Sequence, residues 1–201
     1  MDGDRAVRIL GFSGSARLGS INSRLLESAA SMADATVATV AWRVPALPLF
    51  SEDLEAHAFA AGEVADLVER VRQADALLLA TPEYNHSFPA LLKNALDWLS
   101  RPGAGGVLVG KPVAVIGAST GRWGTRLAQA ALRQVLLACE MRLVGRAPLY
   151  VAGASATMFD DHGRLADHAI ASALIETLAS LADASRTARA HGRRAHADEV
   201  A

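Results

Sequence analysis

Five short apolar runs recur along the chain, at residues 7–12, 36–42, 76–81, 112–118 and 143–151. Each is closed by turn-forming residues. Within them apolar side chains fill successive positions rather than alternate ones, the pattern of strands covered on both faces. The stretches between them change period. Residues 21–33 place Leu25, Leu26 and Ala29 on one helical face, and residues 64–72 do the same with Val64, Leu67, Val68 and Val71. Residues 89–99 begin with a proline suited to a first helical turn. Residues 127–139 and 166–182 complete the helices. Five strands alternating with five helices predict an α/β fold, a doubly wound parallel sheet with helices on both faces.

Composition narrows this only slightly. A chain of 201 residues with 51% hydrophobic content supports one core, and the pattern places a single domain at residues 1–184. Residues 185–201, SRTARAHGRRAHADEVA, are polar and basic and are expected to form a frayed or disordered tail. A net charge of −1 speaks against a nucleic-acid or anionic-membrane surface. The single cysteine, Cys139, allows no internal disulfide, which suits a cytoplasmic protein. The opening MDGDRAVRIL does not read as a signal peptide, and no apolar run has the length of a membrane helix.

In a sheet of this kind ligands sit beyond the carboxyl ends of the strands. Three of the loops there are unusual. The first contains Gly14 and Gly19 at the spacing of the outer glycines of a nucleotide-hydrolase phosphate loop, but Ser20 stands in place of the lysine and Ile21 in place of the hydroxyl residue. Triphosphate hydrolysis is poorly supported without that lysine. What remains is a run of small residues entering a helix, with Ser13, Ser15, Ser20 and Asn22 as hydrogen-bond donors and Arg17 as the one cation. That set suits a phosphate monoester. The plain alternative is a helix start capped by Ser20.

The second loop, TPEYNHSFPALLKNALDW, offers Tyr84, Asn85, His86 and Ser87 between two stiff prolines. A flat ring beside backbone donors and acceptors suits a planar heterocycle. Glu83 is a candidate base or a cap for backbone N–H groups. A lone His86 reads as an ordinary polar residue, and Lys93 and Asp97 as a helical pair. In the third loop, GASTGRWGTRLAQAALRQ, Ser119, Thr120, Gly121 and Gly124 permit close backbone approach. Trp123 can stack on a flat ligand and Arg122 can meet a second phosphate; equally, Thr125 can cap the next helix while Trp123 packs at a contact.

These segments resemble a known family. GSARLGSIN is similar to the phosphate loop of the NADPH-dependent FMN reductases, PEYNHSFPALLKNALDW to their long signature segment, and YVAGASATMFDDHGRLAD to the segment before their last helix. The resemblance covers roughly residues 8–181. It implies a flavodoxin-like sheet of order 2-1-3-4-5 and an FMN cofactor reduced by NADPH or NADH. It also implies a homodimer or homotetramer acting on small-molecule acceptors: quinones, azo dyes, flavins or metal oxyanions. It assigns Ser15, Arg17, Ser20 and Asn22 to the FMN phosphate, Pro82, Glu83, Tyr84 and Asn85 to the ring system, and Ser119 and Gly121 to its other edge. Ser13, Ile21 and Thr120 complete the expected cofactor-binding set. Where the family usually has Gly-Gly, this chain has Trp123-Gly124, a change that bears on acceptor choice.

The implied activity is a ping-pong transfer of two electrons from NAD(P)H to an acceptor, with no catalytic side chain and no metal, the flavin carrying the chemistry. A non-enzymatic FMN electron carrier and a flavin redox sensor are the rival readings. Carriers of that kind are typically acidic, unlike this chain. The segment at residues 42–55, WRVPALPLFSEDLE, is apolar and proline-stiffened, and is expected to be exposed, to help form a dimer and to border the flavin site of the partner.

Overall fold

In the computed structural model, residues 5–32, 34–145 and 148–200 are described, with side chains described as far as residue 190. Strands β1 (Val7–Ser13), β2 (Val37–Trp42), β3 (Ala76–Ala80) and β4 (Pro112–Ala118) pair in parallel in the order β2-β1-β3-β4. Two short strands, β5 (Arg142–Leu143) and β6 (Leu149–Val151), both pair in parallel with β4. The helices are α1 (Ile21–Ser31), α2 (Glu55–Ala60), α3 (Glu63–Gln73), α4 (Ala90–Leu99), α5 (Arg126–Ala138) and α6 (His168–Val200).

The all-apolar strands are explained by two cores, one on each face of the sheet. Leu10 and Phe12 of β1, Leu77 and Leu79 of β3, and Val113 and Val115 of β4 point to one face, beneath α3, α4 and α5. Val7, Ile9, Leu78 and Ile116 point to the other, beneath α1 and α6. Side chains alternate between faces, so neither set tolerates polar residues. The sheet is thus the flavodoxin-like one that the resemblance implies.

Two expectations need correction. The fifth strand is not continuous over 143–151. It pairs with Pro112 and Val113 through β5, then with Ile116–Ala118 through β6. Between the pieces lie Gly145, at a φ of +121°, and Pro148, which has no N–H to give a ladder. Next, the last helix runs past residue 182. The buried stripe Leu174, Leu178 and Leu181 continues into Ser185, which is also buried, and then Arg189. Arg189 pairs with Asp75 at the start of β3, where Arg5 adds a two-pronged contact at 2.9 and 3.0 Å. A polar residue can extend a packed helix face when a partner waits for it. The 42–55 segment is exposed or half-exposed along most of its length, as expected, but is anchored to the core at a few points. Val44 is buried, Phe50 meets Trp98 edge to face, and Pro48 accepts hydrogen bonds from Asn94 and Trp98; Leu49 stays exposed.

Candidate active site

Strand order reverses between β1 and β3, so the loops after β1, β3 and β4 open toward one another. Close backbone contacts fix them. Gly14 N–H donates to Ala80 O at 2.9 Å, and a Cβ at Gly14 would lie 2.8 Å from Leu92 Cδ1. Thr81 N–H donates to Ile116 O, and Ser119 N–H to Val151 O. At Gly117 a Cβ would lie 2.1 Å from Thr125 Oγ1. A side chain there would therefore drive the third loop away from β4.

The first loop enters α1 through Ser20, whose hydroxyl accepts from Ser23 N–H at 3.4 Å. Ser13 Oγ accepts from Ser15 N–H, and Ser15 Oγ from Arg17 N–H. Ser15 and Ser20 keep their O–H groups to donate. Asn22 is otherwise engaged. It is buried, its Nδ2 donates to Ala118 O at 2.9 Å, and its Oδ1 accepts from Ala118 N–H at 2.8 Å. The residue expected to bind phosphate thus ties the start of α1 to the end of β4. The plain reading of Ser20 as a cap and the phosphate reading describe the same geometry.

In the second loop Tyr84 and Ser87 exchange backbone hydrogen bonds at 2.9 and 3.0 Å. Asn85 and His86 both have positive φ, 51° and 64°. This is a two-residue hairpin of the primed turn class, and it holds the Tyr84 ring half-exposed at the cleft. Glu83 turns away from any base role. Its Oε2 accepts from Leu127 and Ala128 N–H at 2.9 and 3.0 Å, capping α5 from a different loop. Thr125, the expected cap, is buried and accepts from Gln129 instead. His86 is exposed, 3.8 Å from Glu83, and Lys93 pairs with Asp97 at 2.7 Å, the plain reading of each. Trp123 projects into solvent with the Arg122 guanidinium 4.8 Å from its ring centre.

Together the loops enclose a cleft of about 350 Å³. Ser15, Arg17, Ser20, Ile21 and Asn22 line it from the first loop, Pro82, Glu83 and Tyr84 from the second, and Ser119 and Thr120 from the third. Ala118, which the sequence did not single out, joins them; Ser13, Asn85 and Gly121 stand just outside the lining. The first loop fits a phosphate monoester by its donor set. Among the described residues the N–H groups of Ile21 and Asn22, in the first turn of α1, have no partner, and Arg17 has no carboxylate. Free amides, two hydroxyls and a guanidinium give donors without an acceptor charge, which is what a dianion requires. No group of acidic, histidine or cysteine residues able to hold a metal occurs among the described residues.

The model of the NADPH-dependent FMN reductase family matches residues 7–156, and the chain belongs to that family. It is 41% identical over 161 residues to an NAD(P)H-dependent FMN reductase of Pseudomonas aeruginosa, covering 80% of this chain and 85% of that one. It is 40% identical over 147 residues to a 2-hydroxy-1,4-benzoquinone reductase of a Burkholderia species, covering 73% and 79%. Its fold matches the flavoenzyme NAD(P)H:(acceptor) oxidoreductase FerB of Paracoccus denitrificans with a TM-score of 0.81 and 31% identity, over 90% of this chain and 98% of that one. The protein is therefore an oxidoreductase enzyme with FMN as its flavin and NAD(P)H as its electron donor.

Proposed function

We propose that the chain passes two electrons from NAD(P)H to small quinone-type acceptors in a ping-pong cycle, with FMN seated in the three-loop cleft. Bound FMN supplies the electron exchange; the protein supplies binding and orientation. Ser15, Ser20, Arg17 and the amides of Ile21 and Asn22 hold the phosphate. Asn22 keeps those amides in place through Ala118, and Ser13 braces the loop through Ser15. Pro82, Tyr84 and the Asn85 turn face the ring system from one side, and Ser119, Thr120 and Gly121 from the other. Glu83 couples those two sides by capping α5. The observation that carries this reading is the donor-only cradle of the first loop, aimed into a cleft that the other two loops close.

The benzoquinone reductase relative supports quinones as acceptors. We also take the protein to work in the cytoplasm as a homo-oligomer; Leu127 and Leu137, exposed on the outer side of α5, support a contact between copies. Among the described residues no helix is long and apolar enough to cross a membrane. Initial rates measured at several fixed quinone concentrations test the cycle. Parallel double-reciprocal lines support it, and lines that converge refute it.

A further inference from the structure

A second hollow, of about 570 Å³, opens on the far side of Arg17, between the first loop, α1 and the end of β2. Three arginines line it, Arg17, Arg24 and Arg43, with Glu27 as the single acidic residue. That local excess of positive charge belongs to a chain whose net charge is −1. None of the three arginines has a carboxylate partner among the described residues, yet two are held in position. Arg43 gives Nη2 to Ala16 O and Arg17 O at 3.4 and 3.3 Å, leaving the rest of its fork unengaged. Arg24 lies 4.1 Å from the centre of the Phe159 ring. Anchored, unneutralised arginines facing one cavity are arranged for an anion. Ser15, Arg17 and Ser20 line both this hollow and the FMN cleft, so the two adjoin at the phosphate loop, whereas Arg24 and Arg43 border only the hollow.

We propose that this hollow is an adenylate subsite, in which Arg24 and Arg43 take a ribose phosphate while Trp42 and Glu27 receive the adenine ring and its amino group. The inference rests on the reductase reading, because NAD(P)H is the adenylate that this activity brings to the protein. An adenylate is also half of FAD, so the test separates the two sources.

The experiment is calorimetric titration of the FMN-loaded protein with adenosine 2′,5′-bisphosphate, in the parent and in Arg43→Ala and Arg43→Lys. We expect binding to the parent, weakened about ten- to a hundredfold by alanine and partly restored by lysine, with any loss of FMN affinity smaller than the loss of bisphosphate affinity. KM for NADPH should rise with the alanine change while KM for NADH moves little, a split that mere loosening of the loop would not produce. If the alanine change instead weakens exchange of FAD into the protein and leaves KM for NADPH alone, the subsite is confirmed with FAD as its source. No binding to the parent, equal binding to Arg43→Ala, or displacement of FMN by the bisphosphate would overturn the proposal. Binding is read without turnover. A chain that binds the bisphosphate but does not oxidise NADPH would sink the reductase reading and leave the subsite standing.

Discussion

Asn22→Ala should both destabilise the fold and weaken FMN binding, because one buried amide does two jobs. The Asn22 side chain satisfies the N–H and the C=O of Ala118, 96 positions away, at 2.8 and 2.9 Å. Alanine leaves both backbone groups without a partner in a buried setting. Each such group costs about 1–3 kcal/mol, so the change costs about 2–6 kcal/mol, nearer 3 if water enters the space. For a domain of this size about 3 kcal/mol corresponds to a drop in Tm of roughly 6–12 °C. The same loss frees the first turn of α1 from the end of β4, so the amides of Ile21 and Asn22 no longer hold one orientation. Thermal melts of the apo-protein read the first effect, and fluorescence titration with FMN reads the second. Asn22→Asp sharpens the test. It keeps an acceptor for Ala118 N–H but sets a carboxylate against Ala118 O and beside the phosphate loop, so it should harm FMN binding more than alanine does. An Asn22→Ala protein that melts within a degree or two of the parent and binds FMN as tightly would refute the coupling.

Other changes test separate parts of the account. Arg17→Ala should weaken FMN binding about ten- to a hundredfold by removing a charged donor, measured as retention of flavin through dialysis. Gly117→Ala places a methyl 2.1 Å from Thr125 Oγ1 and 2.5 Å from Thr81 O, and should cost about 3 kcal/mol or more in urea unfolding. Asp75 gives a pH dependence: burial raises its carboxyl pKa, but hydrogen bonds from Arg189, Arg5 and Arg8 N–H outweigh burial and hold it below the usual value. Its stabilising effect is then complete above the unfolded carboxyl value of about 3.9 and is lost as pH falls through the lower folded value. Asp75→Asn should cost about 2 kcal/mol at neutral pH, less than a fully buried pair, and should flatten the acid limb of stability measured by denaturant titration between neutral pH and pH of about 3.

The sheet was legible because burial on both faces leaves one-dimensional signatures: Leu77, Leu78 and Leu79 must all be apolar when successive side chains enter opposite cores. The loops that form the cleft were legible for a related reason, since a parallel sheet dictates which ends face the ligand. What escaped the sequence is contact between distant residues. Asn22 offers the same donors to a phosphate or to Ala118, and only the fold brings Ala118 to it. Glu83 caps α5 across 44 positions, and Arg189 reaches Asp75 across 114, so a helix that seemed to end in a basic tail is instead pinned. Local geometry hid two further features. The hairpin at Asn85-His86 has histidine where glycine usually gives the turn away. The break in the fifth strand rests on Gly145 and Pro148 inside an otherwise apolar run. Trp42 and Arg43 were read as part of an interface segment, and their place beside Arg17 follows only from the pairing of β2 with β1.

In the cycle we propose, the three-loop cleft holds FMN where NAD(P)H and an acceptor meet it in turn. An anaerobic stopped-flow experiment with the FMN-loaded protein tests it most directly, mixing first with NADPH and then with a benzoquinone while following visible flavin absorbance. Rapid loss of absorbance is expected on the first mixing, in the absence of any acceptor, and full recovery on the second. Flavin that stays bound but keeps its absorbance after NADPH, or loses it only when the quinone is already present, would contradict it.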